Sequence, residues 1–330
     1  MFDSYPKGVP MDEMAEHLGR TKTAVRLKAQ SMGLSWASHK PRSGFTVTTK
    51  IPTPHRSLDE IFADQAERFA RKVDRFDIKR SGIQIDIEGS GPFGLLCFGD
   101  PHADDDGCDL ERLAHDIQVV RDTPEVFGAC IGDLTNNWIR ALGHLYAHQG
   151  TTDDEATELL RWLVSAIPWM FVILGNHDKW SPLAQLICEE RGVSHVSHGA
   201  VFKIVREGRT LTIDARHDHR GHSMYNPAHG QLKRNYRGSN ADVIIGGHTH
   251  QSAYTMTKNG VTGQIGHSVR VGAYKKADEY ADMLGLDDAC ISPSVLIVCD
   301  PAAQPSGFVH VFHDIDAGVQ FLNAIREVRA

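Results

Sequence analysis

Aspartate, asparagine and histidine recur in five short segments of this 330-residue chain. They are Asp100-Pro101-His102, Gly132-Asp133, Gly175-Asn176-His177-Asp178, Arg216-His217-Asp218 and Gly247-His248-Thr249-His250. Carboxylate and amide oxygens with imidazole nitrogens are donors that hold divalent cations. Spread over several segments, they suit two adjacent cations, which together activate a water for attack on phosphorus. Asp100 and His102 are two apart, as are His248 and His250, so on an extended backbone each pair points to one side. Each segment alone has an ordinary reading. Gly-Asp after a strand is usually a turn, Gly-Asn-His-Asp fits a strand-to-helix turn, and among 19 histidines some pairs arise by accident. The metal reading rests on the five occurring in order, each behind an apolar run.

Those runs are the elements that must position the donors. Gly94 to Phe98, Val126 to Ile131, Trp169 to Leu174, Leu211 to Ile213 and Val243 to Ile245 have the length and composition of buried strands. A glycine separates strand from donors in every block except that of His217. This grammar predicts an α/β sheet with the chemistry at the carboxyl ends of its strands, where ligands usually bind. Ile83 to Ile87 alternates like a half-buried strand, Val295 to Val298 and Phe308 to Phe312 read as late strands, and Ile315 to Val328 as a final helix.

The five blocks together resemble the calcineurin-like metallophosphoesterase superfamily, over about residues 93 to 313. The resemblance implies an α/β fold, a β-sandwich flanked by helices, with a dinuclear site at the strand ends. It implies one metal on Asp100, His102, Asp133 and His250, and a second on Asp133, Asn176, His217 and His248, with Asp133 bridging. His177 would be the non-ligand histidine beside the scissile phosphate. A bridging carboxylate holds two cations roughly 3.5–4 Å apart, and a histidine titrating near neutrality can protonate an alkoxide leaving group. The expected cofactors are two divalent ions, manganese first, with iron, zinc or nickel as alternatives.

Several assignments stay open at this level. Asp178 either orients His177 or serves as a turn or cap residue. His219 shares strand parity with His217 and is the runner-up ligand. Asp104, Asp105 and Asp106 would be surplus as ligands and read as a solvated loop. The family's protein phosphatases continue the second block with an arginine that holds phosphate. Here Leu134-Thr135-Asn136-Asn137 follows, which weakens a phosphoprotein substrate and leaves the two asparagines to bind a substrate oxygen or to shape the turn. Segment 216–230 resembles metallophosphoesterases of bacterial viruses and prophages.

Residues 1–50 carry eight Lys or Arg against four Asp or Glu, net +4, whereas the remainder is net −11. An acidic body argues against a broad nucleic-acid groove over the catalytic part. Within the basic stretch, Asp12 to Leu18 reads as one helix and Lys22 or Thr23 to Met32 as another, stopped by Gly33. Ala15, Gly19 and Val25 are spaced for two helices crossing closely over a glycine turn. Residues 1–35 thus resemble a helix-turn-helix, with Arg20, Lys22, Arg26 and Lys28 as candidate DNA contacts. Residues 36–56 read as a Ser/Thr/Pro-rich linker. Residues 57–81 read as an amphipathic helix, capped by Ser57 and Glu60, whose Ile61, Phe62, Phe69, Val73 and Phe76 would pack on the enzyme or on a second chain. Residues 82–330 form the expected metallophosphoesterase domain.

No apolar stretch reaches membrane-spanning length and no signal peptide is apparent, so no membrane is expected. Six cysteines without a Cys-x-x-Cys pair, three of them in apolar runs (Cys97, Cys130 and Cys299), suit a reducing cytoplasm. The expected function is metal-dependent phosphoester hydrolysis, with a phosphodiesterase or nuclease-like activity ahead of a phosphomonoesterase on small nucleotides. A different class is a DNA-binding regulator with a sensing or inactive phosphoesterase domain. Oligomeric state is left open.

Overall fold

The computed structural model describes residues 11–32, 56–138, 143–147, 149–221, 223, 225–277, 282–283, 285 and 290–329. It divides into two units, residues 1–65 and 66–330. In the first, α1 (Met11–His17) and α2 (Lys22–Ser31) lie where the sequence predicts them. Met14, Ala15 and Val25 are buried together, with Leu18 packed against them. Gly19 sits at φ 58°, the left-handed value the tight turn requires. Arg20, Arg26 and Lys28 are exposed, and Lys22 pairs with Asp12 at 2.7 Å. Gly33 and the predicted linker, apart from Arg56, lie outside the described residues.

The predicted long helix, α3 (Leu58–Ser81), spans the boundary between the units. Its capping box is present, with Ser57 N–H donating to Glu60 at 2.7 Å and Glu60 N–H to Ser57 Oγ at 3.2 Å. Its apolar face is exposed. No α3 residue is buried, and Phe62 and Phe69 are more than half exposed. Its last turn does make a contact: Lys79 donates to the Ser197 carbonyl at 2.8 Å.

The second unit begins with β1 (Ile83–Asp86), β2 (Phe93–Phe98), α4 (Leu110–Asp122), β3 (Val126–Cys130), α5 (Gly143–Tyr146), α6 (Asp153–Ser165), β4 (Trp169–Leu174) and α7 (Leu183–Glu190). It continues with β5 (His195–Ser197), β6 (Gly199–Arg206), β7 (Arg209–Arg216), α8 (His229–Tyr236), β8 (Val243–Gly246), β9 (Ala253–Lys258) and β10 (Ile265–Arg270). Last come β11 (Ser294–Cys299), β12 (Val309–Phe312) and the C-terminal helix Ile315–Arg329.

Two six-stranded sheets result, in the orders β1-β6-β7-β8-β10-β9 and β12-β11-β2-β3-β4-β5. The period-2 alternation of β2 explains why it is apolar throughout. Phe93, Leu95 and Cys97 face the inter-sheet core with Phe171, Phe202, Ile213 and Ile245. Leu96 and Phe98 face the opposite side with Leu113 and Ile117 of α4, Leu160 of α6 and Leu322 of the C-terminal helix. The fold is therefore a two-sheet α/β sandwich flanked by helices. Strands β2, β3 and β4 run parallel in one sheet, and β7 and β8 run parallel in the other. The segments following these five strands are the five donor segments.

Candidate metal centre

The donors of both sheets meet. His217, after β7, places Nε2 3.0 Å from Asp133 Oδ2, after β3, and 2.9 Å from Asn176 Oδ1, after β4. His250 Nε2 lies 3.2 Å from His102 Nε2 and 3.6 Å from Asp100 Oδ2. Three overlapping groups have ligand-capable atoms within 4.8 Å of one another: Asp100, His102 and His250; His102, Asp133 and His177; Asp133, His217 and His248.

The glycines before the donors have a steric reason. A Cβ at Gly175 would run into the Asp133 carboxylate, and one at Gly247 into the Asp100 carboxylate. The donor loops are also unusual in backbone: His102, Asp133, His248 and His250 have φ of 43°, 53°, 72° and 56°. Non-glycine residues rarely adopt these values, and such strain clusters where the surroundings enforce a functional geometry.

Second contacts fix the rings and carboxylates. His217 Nδ1–H donates to the Ile131 carbonyl at 3.1 Å, which leaves Nε2 toward Asp133 and Asn176. Asp100 Oδ2 accepts the His248 N–H at 2.7 Å, and Asp133 Oδ1 accepts the His177 N–H at 2.9 Å. His177 Nδ1–H donates to the Asn136 carbonyl at 2.7 Å, so its Nε2 is the nitrogen 4.0 Å from Asp133 Oδ2.

The site is electrostatically loaded. Burial lifts Asp100 to about 6. Burial also works against charge on His217, but the Asp133 and Asp100 carboxylates outweigh it and raise this imidazole to about 10. Asp133, despite burial, is held well below the usual carboxylate range by His217 and the other imidazoles. Burial, then neighbouring imidazoles, pushes His102 well down. The donor set fits divalent cations. Asp100 Oδ1 and His102 Nδ1 are buried with no hydrogen-bond partner, and the facing Nε2 atoms of His102 and His250 leave lone pairs to be shared.

One sequence expectation changes, and three open alternatives are narrowed. Asp178 does not orient His177; it is buried and accepts the backbone N–H groups of Asp133, Leu134 and Gly175 at 2.8, 3.0 and 2.9 Å. His219 turns away and donates through Nε2 to the Ile245 carbonyl at 3.0 Å, so His217 rather than His219 joins the cluster. The run Asp104-Asp105-Asp106 is not a solvated loop: Asp104 and Asp105 are buried while Asp106 is exposed. Asp104 accepts Asn136 N–H at 2.6 Å, and Asp105 accepts the Asn136 side-chain amide at 2.8 Å and pairs with Lys275 at 2.9 Å. Asn136 and Asn137 shape the turn, the second donating to the His177 carbonyl at 3.1 Å.

Sequence reading missed two neighbours. Trp180 stands 4.2 Å from the His177 ring, centroid to centroid, and is partly exposed; its distance of three residues from His177 along a helical turn is the signal that was available. Arg270, fully buried, holds the last donor loop through the Gly247 carbonyl at 2.9 Å and Thr249 Oγ1 at 2.6 Å. Nothing in the sequence distinguishes this arginine.

Residues 93–252 match the family model for calcineurin-like phosphoesterases. This stretch is a calcineurin-like phosphoesterase domain. The chain is accordingly a metal-dependent phosphoesterase, and all five donor segments fall inside the matched stretch. Three solved structures are similar to it. The calcineurin-like phosphoesterase YfkN from Bacillus subtilis is 12% identical, with 72% of this chain and 100% of that one covered and a TM-score of 0.39. A predicted phosphoesterase from Streptococcus pneumoniae TIGR4 is 13% identical, covering 68% and 99%, at 0.32. Vps29 from Entamoeba histolytica, complexed with zinc, is 16% identical, covering 67% and 97%, at 0.34. A comparison with curated proteins finds no match. Among the described residues no helix of the phosphoesterase is long and apolar enough to cross a membrane.

Proposed function

We propose that the chain hydrolyses phosphodiesters with two divalent cations, one held by Asp100, His102, Asp133 and His250, the other by Asp133, Asn176, His217 and His248. The observation that carries this reading is the sharing of Asp133: its carboxylate belongs to two of the three donor groups. Such cations, when bound, activate water and neutralise charge on the phosphate oxygens. The donor chemistry suits manganese, iron, zinc or nickel.

The remaining roles fall to the chain. Asp133 is locked by its bond from the His177 N–H, which sets the carboxylate's direction before substrate arrives. His177, tethered through Nδ1 to Asn136, keeps Nε2 for the leaving-group oxygen and acts as general acid. Burial lowers its pKa in the free chain; the negative charge of an arriving phosphodiester works in the opposite direction. Asp178, no longer a candidate to orient His177, supports the Asp133 loop from behind.

A panel of metals against substrates tests the reading on purified protein. Bis-p-nitrophenyl phosphate should turn over with added manganese, and faster than p-nitrophenyl phosphate. The reverse preference would support a phosphomonoesterase acting on small nucleotides. DNA binding with no hydrolysis of any ester would support a regulator with a sensing domain.

A further inference from the structure

A cleft of about 800 Å³ opens on the second unit beside the proposed metal centre. Seven of its fourteen lining residues are Lys or Arg, and Asp218 is the one carboxylate among them. It adjoins the site through consecutive residues: His217 enters the donor cluster, while Arg216 and Asp218 on either side of it line the cleft. His198, another lining residue, accepts the His217 N–H on its carbonyl at 3.1 Å.

The concentration of positive charge exceeds what the fold itself uses. Arg216 and Arg234 are committed to the buried Asp214, at 3.0 and 2.7 Å. Arg220, Lys233 and Arg237 have no carboxylate partner among the described residues. Lys233 and Arg237 are four apart on one helical face, an arrangement of like charges that costs a helix stability. Lys79 feels the crowding: burial first, then Arg216, Arg75 and Lys179, lower its pKa. Two helix ends, those of α3 and α8, reach the cleft, and each carries about half a negative charge. With these, Asp218 and Asp214 set against the seven cations, an excess of about four positive charges remains. This concentration lies in a chain whose net charge is −7.

We infer that this cleft binds the sugar-phosphate backbone of a nucleic-acid duplex and leads one strand to the metal centre. The inference rests on the phosphodiesterase reading for its purpose, but the binding surface can be tested apart from it. Several cations lining one cleft, without a matching set of aromatic side chains, recognise a chain of phosphates rather than a single nucleotide.

The test uses the full chain, metal-loaded, and a fluorescein-labelled duplex oligonucleotide followed by anisotropy over a salt series. Lys233→Glu/Arg237→Glu should weaken binding about tenfold or more and reduce the slope of log K against log salt by about two. Lys233→Arg/Arg237→Lys should restore both. A control pair at exposed positions that do not line the cleft, Arg191→Glu/Lys258→Glu, makes the same change in net charge and should have far less effect. Absence of binding by the natural chain at low salt, or an equal loss in the control pair, overturns the inference. Turnover of bis-p-nitrophenyl phosphate by the natural chain judges the phosphodiesterase reading separately, so a binding cleft on an inactive protein and an active protein without the cleft are distinct outcomes.

Discussion

Asp178 accepts the backbone N–H of Asp133 at 2.8 Å, linking the end of β3 to the end of β4. The same carboxylate takes the N–H groups of Leu134 and Gly175, so one buried side chain sets the path of two donor loops. Burial, then Asp133, raises Asp178 to about 7. Asp178→Ala would leave three buried N–H groups without an acceptor, each costing about 1–3 kcal/mol. The expected result is a stability loss of about 3 kcal/mol or more in urea unfolding of the metal-free protein, together with reduced metal occupancy. An unchanged midpoint would show that the loops hold themselves.

His177→Ala should retain metal and slow hydrolysis of an alkyl diester roughly 10²–10⁴-fold. The loss should shrink for nitrophenyl esters, whose leaving group departs without a proton. Equal losses for both substrates would leave His177 as a phosphate-positioning donor. Because His177 also groups geometrically with His102 and Asp133, elemental analysis belongs in the same experiment: loss of one metal would make it a ligand.

Metal uptake should release protons. In the metal-free chain His217 titrates at about 10, so at pH 8 it is protonated, and a cation must displace that proton to reach Nε2. Asp100, raised to about 6, is already ionised at this pH. About one proton per chain from His217 is expected, read by calorimetry in buffers of different ionisation enthalpy. Affinity for metal should rise with pH until His217 loses its proton unaided. No proton release at pH 8 would contradict the assignment of His217 as a ligand.

The N-terminal helices are proposed to add nucleic-acid affinity and no chemistry. Deleting residues 1–35 should leave turnover of a small chromogenic ester nearly unchanged. It should flatten the salt dependence of DNA binding, by about one unit of slope for every phosphate that the helices no longer neutralise. Lys22, already paired with Asp12, is expected to contribute less than Arg20, Arg26 or Lys28. Loss of small-ester turnover in a folded deletion protein would contradict this division of roles.

Much of the site was legible because its grammar is local. An apolar strand, a glycine and a donor are neighbours in sequence, and the glycines at 175 and 247 are needed for close approach to a carboxylate. The buried strands were legible for the same reason, each being a short apolar run. What escaped is non-local. Asp178 looked like a partner for His177 because they are adjacent, yet two of the N–H groups it accepts come from residues 133 and 134. Asp104 and Asp105 looked solvated because three consecutive carboxylates usually are; Asn136 and Lys275 satisfy them from distant segments. The half-exposed strand β9 and the buried strand β10 carry too many polar residues for the apolar-run signal; β10 is held between β9 and β8. The basic cleft draws on α3, β7 and α8 together, which is why whole-chain charge concealed it.

The most direct measurement is metal content against activity in the same preparation. After manganese reconstitution, the natural chain should hold two ions by elemental analysis and hydrolyse bis-p-nitrophenyl phosphate. Asp133→Asn, which weakens the shared carboxylate, should lose occupancy at both positions and activity with it. Full activity with one ion or none, or an Asp133→Asn protein that keeps both ions, would contradict the two-metal account.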